Sequence, residues 1–175
     1  MSYEHAYAVI LQRTRHKTTN ETPSRMTTIP FYRVKDKFGE FSNFAPFPIE
    51  VKGRVWPTSE HYFQAQKFVG NGHEETIRQA KSPMIAARLG RSRAHPLRSD
   101  WATVKDDAMR QALRAKFSQH PRLTSLLLST GDATLVEHTR NDSYWADGGD
   151  GTGKNRLGEL LMELRAQLRL EQKEH

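Results

Sequence analysis

The chain contains no cysteine, which excludes disulfides, thiolate nucleophiles and thiolate metal ligands. That absence suits a cytoplasmic protein. Long apolar runs are missing too. No stretch approaches the roughly 20 residues that a membrane-spanning helix needs. The apolar segment Ala6–Leu11 is too short for the core of a signal peptide and precedes the nearest basic segment, the reverse of the usual order. The eight histidines are scattered, with no H-E-x-x-H pairing, and there is no Ser-His-Asp elbow. The residues therefore assign no metal site and no serine-hydrolase chemistry. There are no internal repeats.

What is present fits one globular domain: 175 residues, 36% of them hydrophobic. The formal net charge of +7 attracts anions, whether nucleic acid, a membrane surface or phosphorylated metabolites. The cations are spread along the chain as Arg13, Arg15 and Lys17, then Arg88, Arg91, Arg93 and Arg98, then Arg110, Arg114 and Lys116. The tightest group, between Arg88 and Arg98, has no aromatic residue to interleave with bases, so it does not read as a single-strand binding platform.

Residues 1–29 are rich in Thr and Arg, lack sustained periodicity and read as a flexible N-terminal extension, with at most a short strand at Tyr7–Leu11. The domain proper is predicted over 30–172. Phe31–Val34 reads as a strand, and Pro48–Trp56 as a hairpin turning at Lys52-Gly53. A helix is predicted from Thr58 or Ser59 to about Val69, with Pro57 at its start and Gly70-Asn71-Gly72 as its stop. Further helices are predicted over Glu74–Ala80, from Ser82-Pro83 to Gly90, from Ser99 or Asp100 to Gln119, and over Leu123–Leu128. Thr134–His138 reads as a strand. The last helix, Asn155–Leu170, carries one apolar stripe of Leu157, Leu160, Leu161, Leu164 and Leu168. The fold class is α+β: a mostly helical single domain with a small sheet.

Three segments have compositions that packing alone does not explain. In Gly39–Phe44, Ser42 and Asn43 lie between two phenylalanines, a composition suited either to stacking on a heterocyclic base, with Asn43 reading its edge, or to an aromatic mini-core with Asn43 in a turn. In Trp56–Phe68, helical spacing puts Glu60, Gln64 and Lys67 on one face. Glu60 falls in the first turn, where the helix dipole favours its ionised form. A carboxylate there can stabilise an oxocarbenium-like transition state or orient water. Lys67 can clamp an anion, or attack an opened sugar as an amine. Equally, a Glu–Gln–Lys face is often merely solvated. His61 reads as structural. The third segment, Asn141–Gly158, joins Tyr144 and Trp145 as stacking surfaces to Asp147, a run including Gly151 and Gly153, and Lys154-Asn155-Arg156 at the start of the last helix, whose free amides would bind an anion. Gly148–Lys154 matches the phosphate-loop pattern G-x-x-x-x-G-K, but Asn155 stands where Ser or Thr would bind magnesium and no apolar strand precedes it, so that reading is rejected.

Together GEFSNF (39–44), WPTSEHYFQAQKF (56–68), SPMIAARLG (82–90), Asp142–Gly158 and LLMELR (160–165) resemble the YbiA-like family, also called the NADAR superfamily. The resemblance runs from Phe31 to Leu168. One departure is Ala146, where the family usually has glycine before Asp147. The resemblance implies a YbiA-type α+β fold and N-glycosidase chemistry without a cofactor. The implied substrates are ribosylamino-pyrimidine phosphates of early riboflavin biosynthesis, cleaved to ribose 5-phosphate. ADP-ribose on guanine in DNA is the alternative, which would make nucleic acid a partner, and a non-catalytic ADP-ribose or nucleotide-binding module is a third. It points to Glu60, Lys67 and Asp147 as catalytic. Asn43, Phe44, Trp56, Gln64, Tyr144, Trp145, Gly151, Gly153, Lys154 and Asn155 are the expected substrate contacts. Oligomeric state is left open.

Overall fold

The computed structural model describes residues 27–173, so the expected extension through Met26, including the strand at Tyr7–Leu11 and the cations Arg13, Arg15 and Lys17, lies outside the described residues. Strands β1 (Thr28–Phe31), β2 (Ile49–Val51), β3 (Arg54–Trp56) and β4 (Thr134–Glu137) combine with helices α1 (Ser59–Ala65), α2 (His73–Arg78), α3 (Pro83–Arg91), α4 (Trp101–Gln119), α5 (Pro121–Ser129) and α6 (Arg156–Glu171). The α+β expectation holds, but the small sheet is two separate pairs. β1 and β4 run parallel in the register Thr28↔Thr134 to Phe31↔Glu137. β2 and β3 form the expected antiparallel hairpin around Lys52 and Gly53, both at positive φ.

The first strand differs from the sequence reading. It lies at Thr28–Phe31 rather than Phe31–Val34, because its partner β4 reaches back to pair with Thr28. Thr28 and Ile29, assigned above to the extension, are therefore part of this pair. Pro30 is tolerated since β1 is an edge strand. Pro57 also moves: it stands before the α1 N-cap rather than in the first turn. The cap is Thr58, whose hydroxyl accepts from the His61 amide. Helix α1 tightens to a 3-10 turn at Gln66–Phe68 before the Gly70 stop. Ser82 caps α3 through the Ile85 amide, with Pro83 following, as its sequence predicts.

Two apolar clusters hold these elements. One joins Phe31, Phe41 and Leu135 to Met109, Leu113 and Phe117 of α4, to α5, and to the whole predicted stripe Leu157, Leu160, Leu161, Leu164 and Leu168 of α6. The other joins the hairpin to α1, α2 and α3 through Ile49, Trp56, Tyr62, Phe68, Ile77 and Ala86. Helix α4 serves both, since Ala112 faces the second cluster while Met109 and Leu113 face the first. A two-stranded ladder is marginal alone, and β4 is secured by α6: a side chain at Gly158 would collide with the Leu135 carbonyl. Among the described residues, no helix is long and apolar enough to cross a membrane.

Candidate active site

The α1 face is buried, not solvated. Glu60 is 6% exposed and Gln64 5%. Gln64 Nε2 donates to Glu60 Oε1 at 2.7 Å, leaving Gln64 Oε1 buried and unpartnered. The end of α3 packs directly on this face. A Cβ at Gly90 would strike the Gln64 amide, and the Gly90 carbonyl accepts a 3.0 Å hydrogen bond from Lys67 Nζ. Lys67 Nζ also sits 5.8 Å from the Phe63 ring centre and 5.7 Å from that of Trp101, a setting that favours a cation.

Burial sets the electrostatics here. It raises the Glu60 pKa from its ordinary value, against the Gln64 hydrogen bond and the charges of Lys67 and Arg91. The helix-dipole expectation of an easily ionised Glu60 is thus outweighed by desolvation. Burial lowers the Lys67 pKa to about 8, with the Glu60 charge opposing that shift and Arg91 adding to it. Glu60 and Lys67 form a coupled pair, each favouring the other's charged form. His61 is structural as expected: its Nε2 donates to the Ala80 carbonyl at 3.1 Å, which leaves Nδ1 to accept from the Thr58 hydroxyl at 2.8 Å.

The loop before α6 is built by its own hydrogen bonds. Asp147 Oδ2 accepts from His138 Nδ1 at 2.7 Å, and Oδ1 from the amides of Gly149 and Thr139. Burial pushes this carboxyl up, but those bonds and the His138 charge hold its pKa below the ordinary value. Both oxygens of Asp147 thus organise the loop. The amides expected to bind an anion are spent as well. Those of Lys154, Asn155, Arg156 and Leu157 donate to the carbonyls of Ser143, Ala146, Tyr144 and Trp145. The anion site expected at this helix start is therefore closed, for a reason local spacing cannot reveal.

Asn155 is likewise a structural clamp. It sits at φ 50, accepts from the Glu137 amide at 2.9 Å and donates to the Leu135 carbonyl at 2.8 Å, tying α6 to β4. Gly153 is required by close packing, since a side chain there would meet the backbone of Ala146 and Asp147, whereas Gly151 is exposed at φ 85. Ala146, fully buried, has no positive φ, so the loop needs no glycine there for conformational reasons.

The aromatic expectations divide. Trp56 is 2% exposed, packed edge-to-face on Tyr62 in the second cluster. It is a core residue rather than the expected substrate contact. Asn43 is buried; its amide contacts Met109 Sδ and its Oδ1 has no partner, while its carbonyl accepts from the Glu60 amide at 3.1 Å. That bond sets Asn43 and half-buried Phe44 beside Glu60. Trp145, half-buried, meets Phe63 of α1 edge-to-face at 5.2 Å, bringing the loop onto the same helix. Tyr144 turns aside: its hydroxyl donates to Asp106, and Lys105 lies over its ring, with exposed Lys154 5.3 Å from the ring centre.

Three further residues belong to this region. Lys116, fully buried, donates to the carbonyls of Glu40 (2.5 Å) and Ser42 (2.9 Å), pinning the Gly39–Phe44 segment. Arg91, next to the Gly90 contact, is exposed and makes no hydrogen bond or ion pair with any described residue, yet its charge is felt by both Glu60 and Lys67. Glu137, at the end of β4, feels the charges of Asp142, Glu60 and Asp147. Sequence reasoning passed over Glu137 as the tail of a strand. Its signal was an acidic residue two places from Leu135, on the face that strand alternation buries. Two surface depressions, of about 450 and 650 Å³, lie elsewhere, one between α4 and α6 and one beside His73 and His95, and none of Glu60, Lys67 or Glu137 lines either.

Comparison with known proteins gives this arrangement a context. The family model described as NADAR domain matches residues 30–169. The N-glycosidase YbiA of Escherichia coli (strain K12) is 62% identical over 145 residues, covering 83% of this chain and 91% of that protein. The chloroplastic riboflavin biosynthesis protein PYRR of Zea mays is 43% identical over 162 residues, 84% of this chain but 26% of that longer protein. The NMR structure of the E. coli protein YbiA superposes with a TM-score of 0.80 at 61% identity, covering 86% of this chain and 89% of that one.

Proposed function

The chain belongs to the NADAR family, and from that premise we propose that this hydrolase of N-glycosyl bonds acts on ribosylamino-pyrimidine phosphates of early riboflavin biosynthesis, releasing ribose 5-phosphate. The observation that carries the reading is the α1 face on which Glu60 and Gln64 are buried and hydrogen-bonded to each other, with half-buried Lys67 one turn on, held on the Gly90 carbonyl. A carboxylate shielded from water in this way is suited to charge that develops during a reaction.

In this reading the ribose C1′ lies against Glu60, whose carboxylate stabilises the oxocarbenium-like cation as the C–N bond lengthens. Gln64 holds that carboxylate in place. Lys67 remains an ammonium, as its ring contacts and its bond to the Gly90 carbonyl favour, and its charge opposes the burial that disfavours an ionised Glu60. Phe44 and Trp145 offer their exposed ring surface to the base. Since the amides at the start of α6 are spent, the phosphate is assigned to Arg91, which is free and adjacent to the Lys67 contact. Asp147 and Asn155 position the loop rather than touch the reacting atoms.

A second reading, removal of ADP-ribose from guanine in DNA, draws on Arg88, Arg91 and Arg93, all exposed and without partners among the described residues. Unpaired arginines are suited to duplex phosphates. The two are separated by incubating the protein with the ribosylaminopyrimidine phosphate and with ADP-ribosylated guanine DNA. Release of free base and ribose 5-phosphate from the first alone is expected. Turnover of the DNA alone would overturn the metabolite assignment. Borohydride present during turnover should trap no covalent adduct; an adduct on Lys67 would replace the ammonium role with that of an amine nucleophile.

A further inference from the structure

We infer that Glu137 is the proton donor to the departing base, a role that rests on the N-glycosidase reading and completes it with a second carboxyl. Glu137 is held at its backbone. Its amide donates to Asn155 Oδ1 at 2.9 Å, and its carbonyl accepts from the Asp147 amide at 3.0 Å. Both sides of its backbone are thus fixed by the loop that carries Trp145. Leu135, two residues earlier on the same strand face, is fully buried, so the pleat turns the Glu137 side chain inward too.

The carboxyls of the region then separate by their hydrogen bonds. Asp147 accepts three, as described. Asp142 Oδ1 accepts from the amides of Tyr144 and Trp145, both at 2.7 Å. Glu60 accepts from Gln64 and faces Lys67 and Arg91. Glu137 accepts none among the described residues. Three of the four carboxyls thus accept hydrogen bonds, whereas Glu137 has none and feels the charges of Asp142, Glu60 and Asp147. The loop that holds the Glu137 backbone also sets Trp145 on Phe63 of α1, the helix of Glu60, and the Asp142 charge is felt by both Glu60 and Glu137. Burial, then the charges of Asp142, Glu60 and Asp147, push the Glu137 pKa up to about 8. Neighbouring carboxyls with environments this different divide the acid and base roles between them.

The step balances as follows. As the C1′–N bond breaks, its electron pair goes to nitrogen, which takes the proton of the Glu137 carboxyl. Water adds its oxygen to C1′ and yields a proton to the Glu60 carboxylate. Exchange with solvent then returns Glu60 to the ionised form and Glu137 to the acid. The net change is one water consumed.

The test is the pH profile of kcat/KM for the wild type, Glu137→Gln and Glu137→Asp, with infrared titration of the protonated carboxyl band. The wild type should lose activity above about pH 8 as the donor ionises. Gln mimics the protonated acid in shape, so Glu137→Gln should fold normally, lose roughly 100- to 1,000-fold in kcat, lack that alkaline limb and lack the infrared band at pH 7. Glu137→Asp should restore part of the rate with a displaced limb. An alkaline limb that persists in Glu137→Gln assigns it to Lys67 and overturns the inference while leaving the N-glycosidase reading intact. A wild-type protein that releases no base overturns both.

Discussion

Replacing Gly90 by alanine probes the contact on which the buried face depends. The new Cβ would lie 2.7 Å from Gln64 Cδ and 2.8 Å from Gln64 Cβ, nearer than side-chain carbons pack. Two responses are open. If Gln64 swings aside, Glu60 loses its 2.7 Å donor, a hydrogen bond to a charged group worth about 1.5–3 kcal/mol. If α3 retreats, the 3.0 Å bond from Lys67 to the Gly90 carbonyl stretches and the packing of Ala86 and Ala87 opens, at the roughly 1–3 kcal/mol typical of an overfilled core. Either way Gly90→Ala should lower Tm by about 2–10 °C for a domain of this size. Loss of the Glu60 donor in the transition state corresponds to roughly a 10- to 100-fold fall in kcat/KM. Differential scanning calorimetry and initial rates of base release measure both. The same substitution in a Gln64→Ala background should cost less stability, since the Gln64 amide is gone and only its Cβ still obstructs. Equal costs in the two backgrounds, or a Gly90→Ala enzyme matching wild type in both measurements, would refute the reasoning.

Burial lowers the Lys116 pKa to about 7. Between that pH and the ordinary lysine value the unfolded chain binds a proton that the folded one does not, so wild-type stability gains with rising pH. In urea titrations the wild-type advantage over Lys116→Met should therefore grow by up to about 1.4 kcal/mol per pH unit across that window; parallel curves would contradict the buried-lysine account. Asn155→Ala removes two hydrogen bonds to β4 and puts alanine at φ 50. It should cost roughly 2–4 kcal/mol, with Asn155→Gly about 1 kcal/mol milder, and chemical denaturation that ranks the two equally would exclude the backbone contribution. Ala146→Gly should leave activity unchanged and lose about 0.5–1 kcal/mol, because Ala146 already sits without a positive φ; a gain in activity would show that the loop does need glycine.

Helices and their ends were legible because their signals are local. Ser82-Pro83 opens α3, the leucine stripe of α6 is wholly buried, and Lys52-Gly53 turns the hairpin. The coming together of Glu60, Gln64 and Lys67 was legible for the same reason, as helical spacing. Its burial was not, since that depends on α3 packing Gly90 against Gln64 from outside the segment. β1 was displaced because its position is set by Thr134–Glu137, about a hundred residues away. Trp56, an expected substrate contact, packs instead on Tyr62 in the core, a contact made only when the hairpin folds onto α1. The α6 amides looked free until four carbonyls from 143–146 reached them. Glu137 was missed because its signal, an acid two places from Leu135 on the inward face, is weak in a strand of four residues; the hydrogen bonds of its neighbouring carboxyls are what set it apart.

If Glu60 on the buried α1 face drives cleavage of the N-glycosidic bond, Glu60→Gln, which keeps the shape of the side chain and removes its charge, should disable the enzyme. Single-turnover release of base from the ribosylaminopyrimidine phosphate should fall by at least about 100-fold, on the scale of a lost electrostatic stabiliser, with Tm unchanged or higher because a buried charge is gone. A folded Glu60→Gln protein that releases base at the wild-type rate would contradict the account.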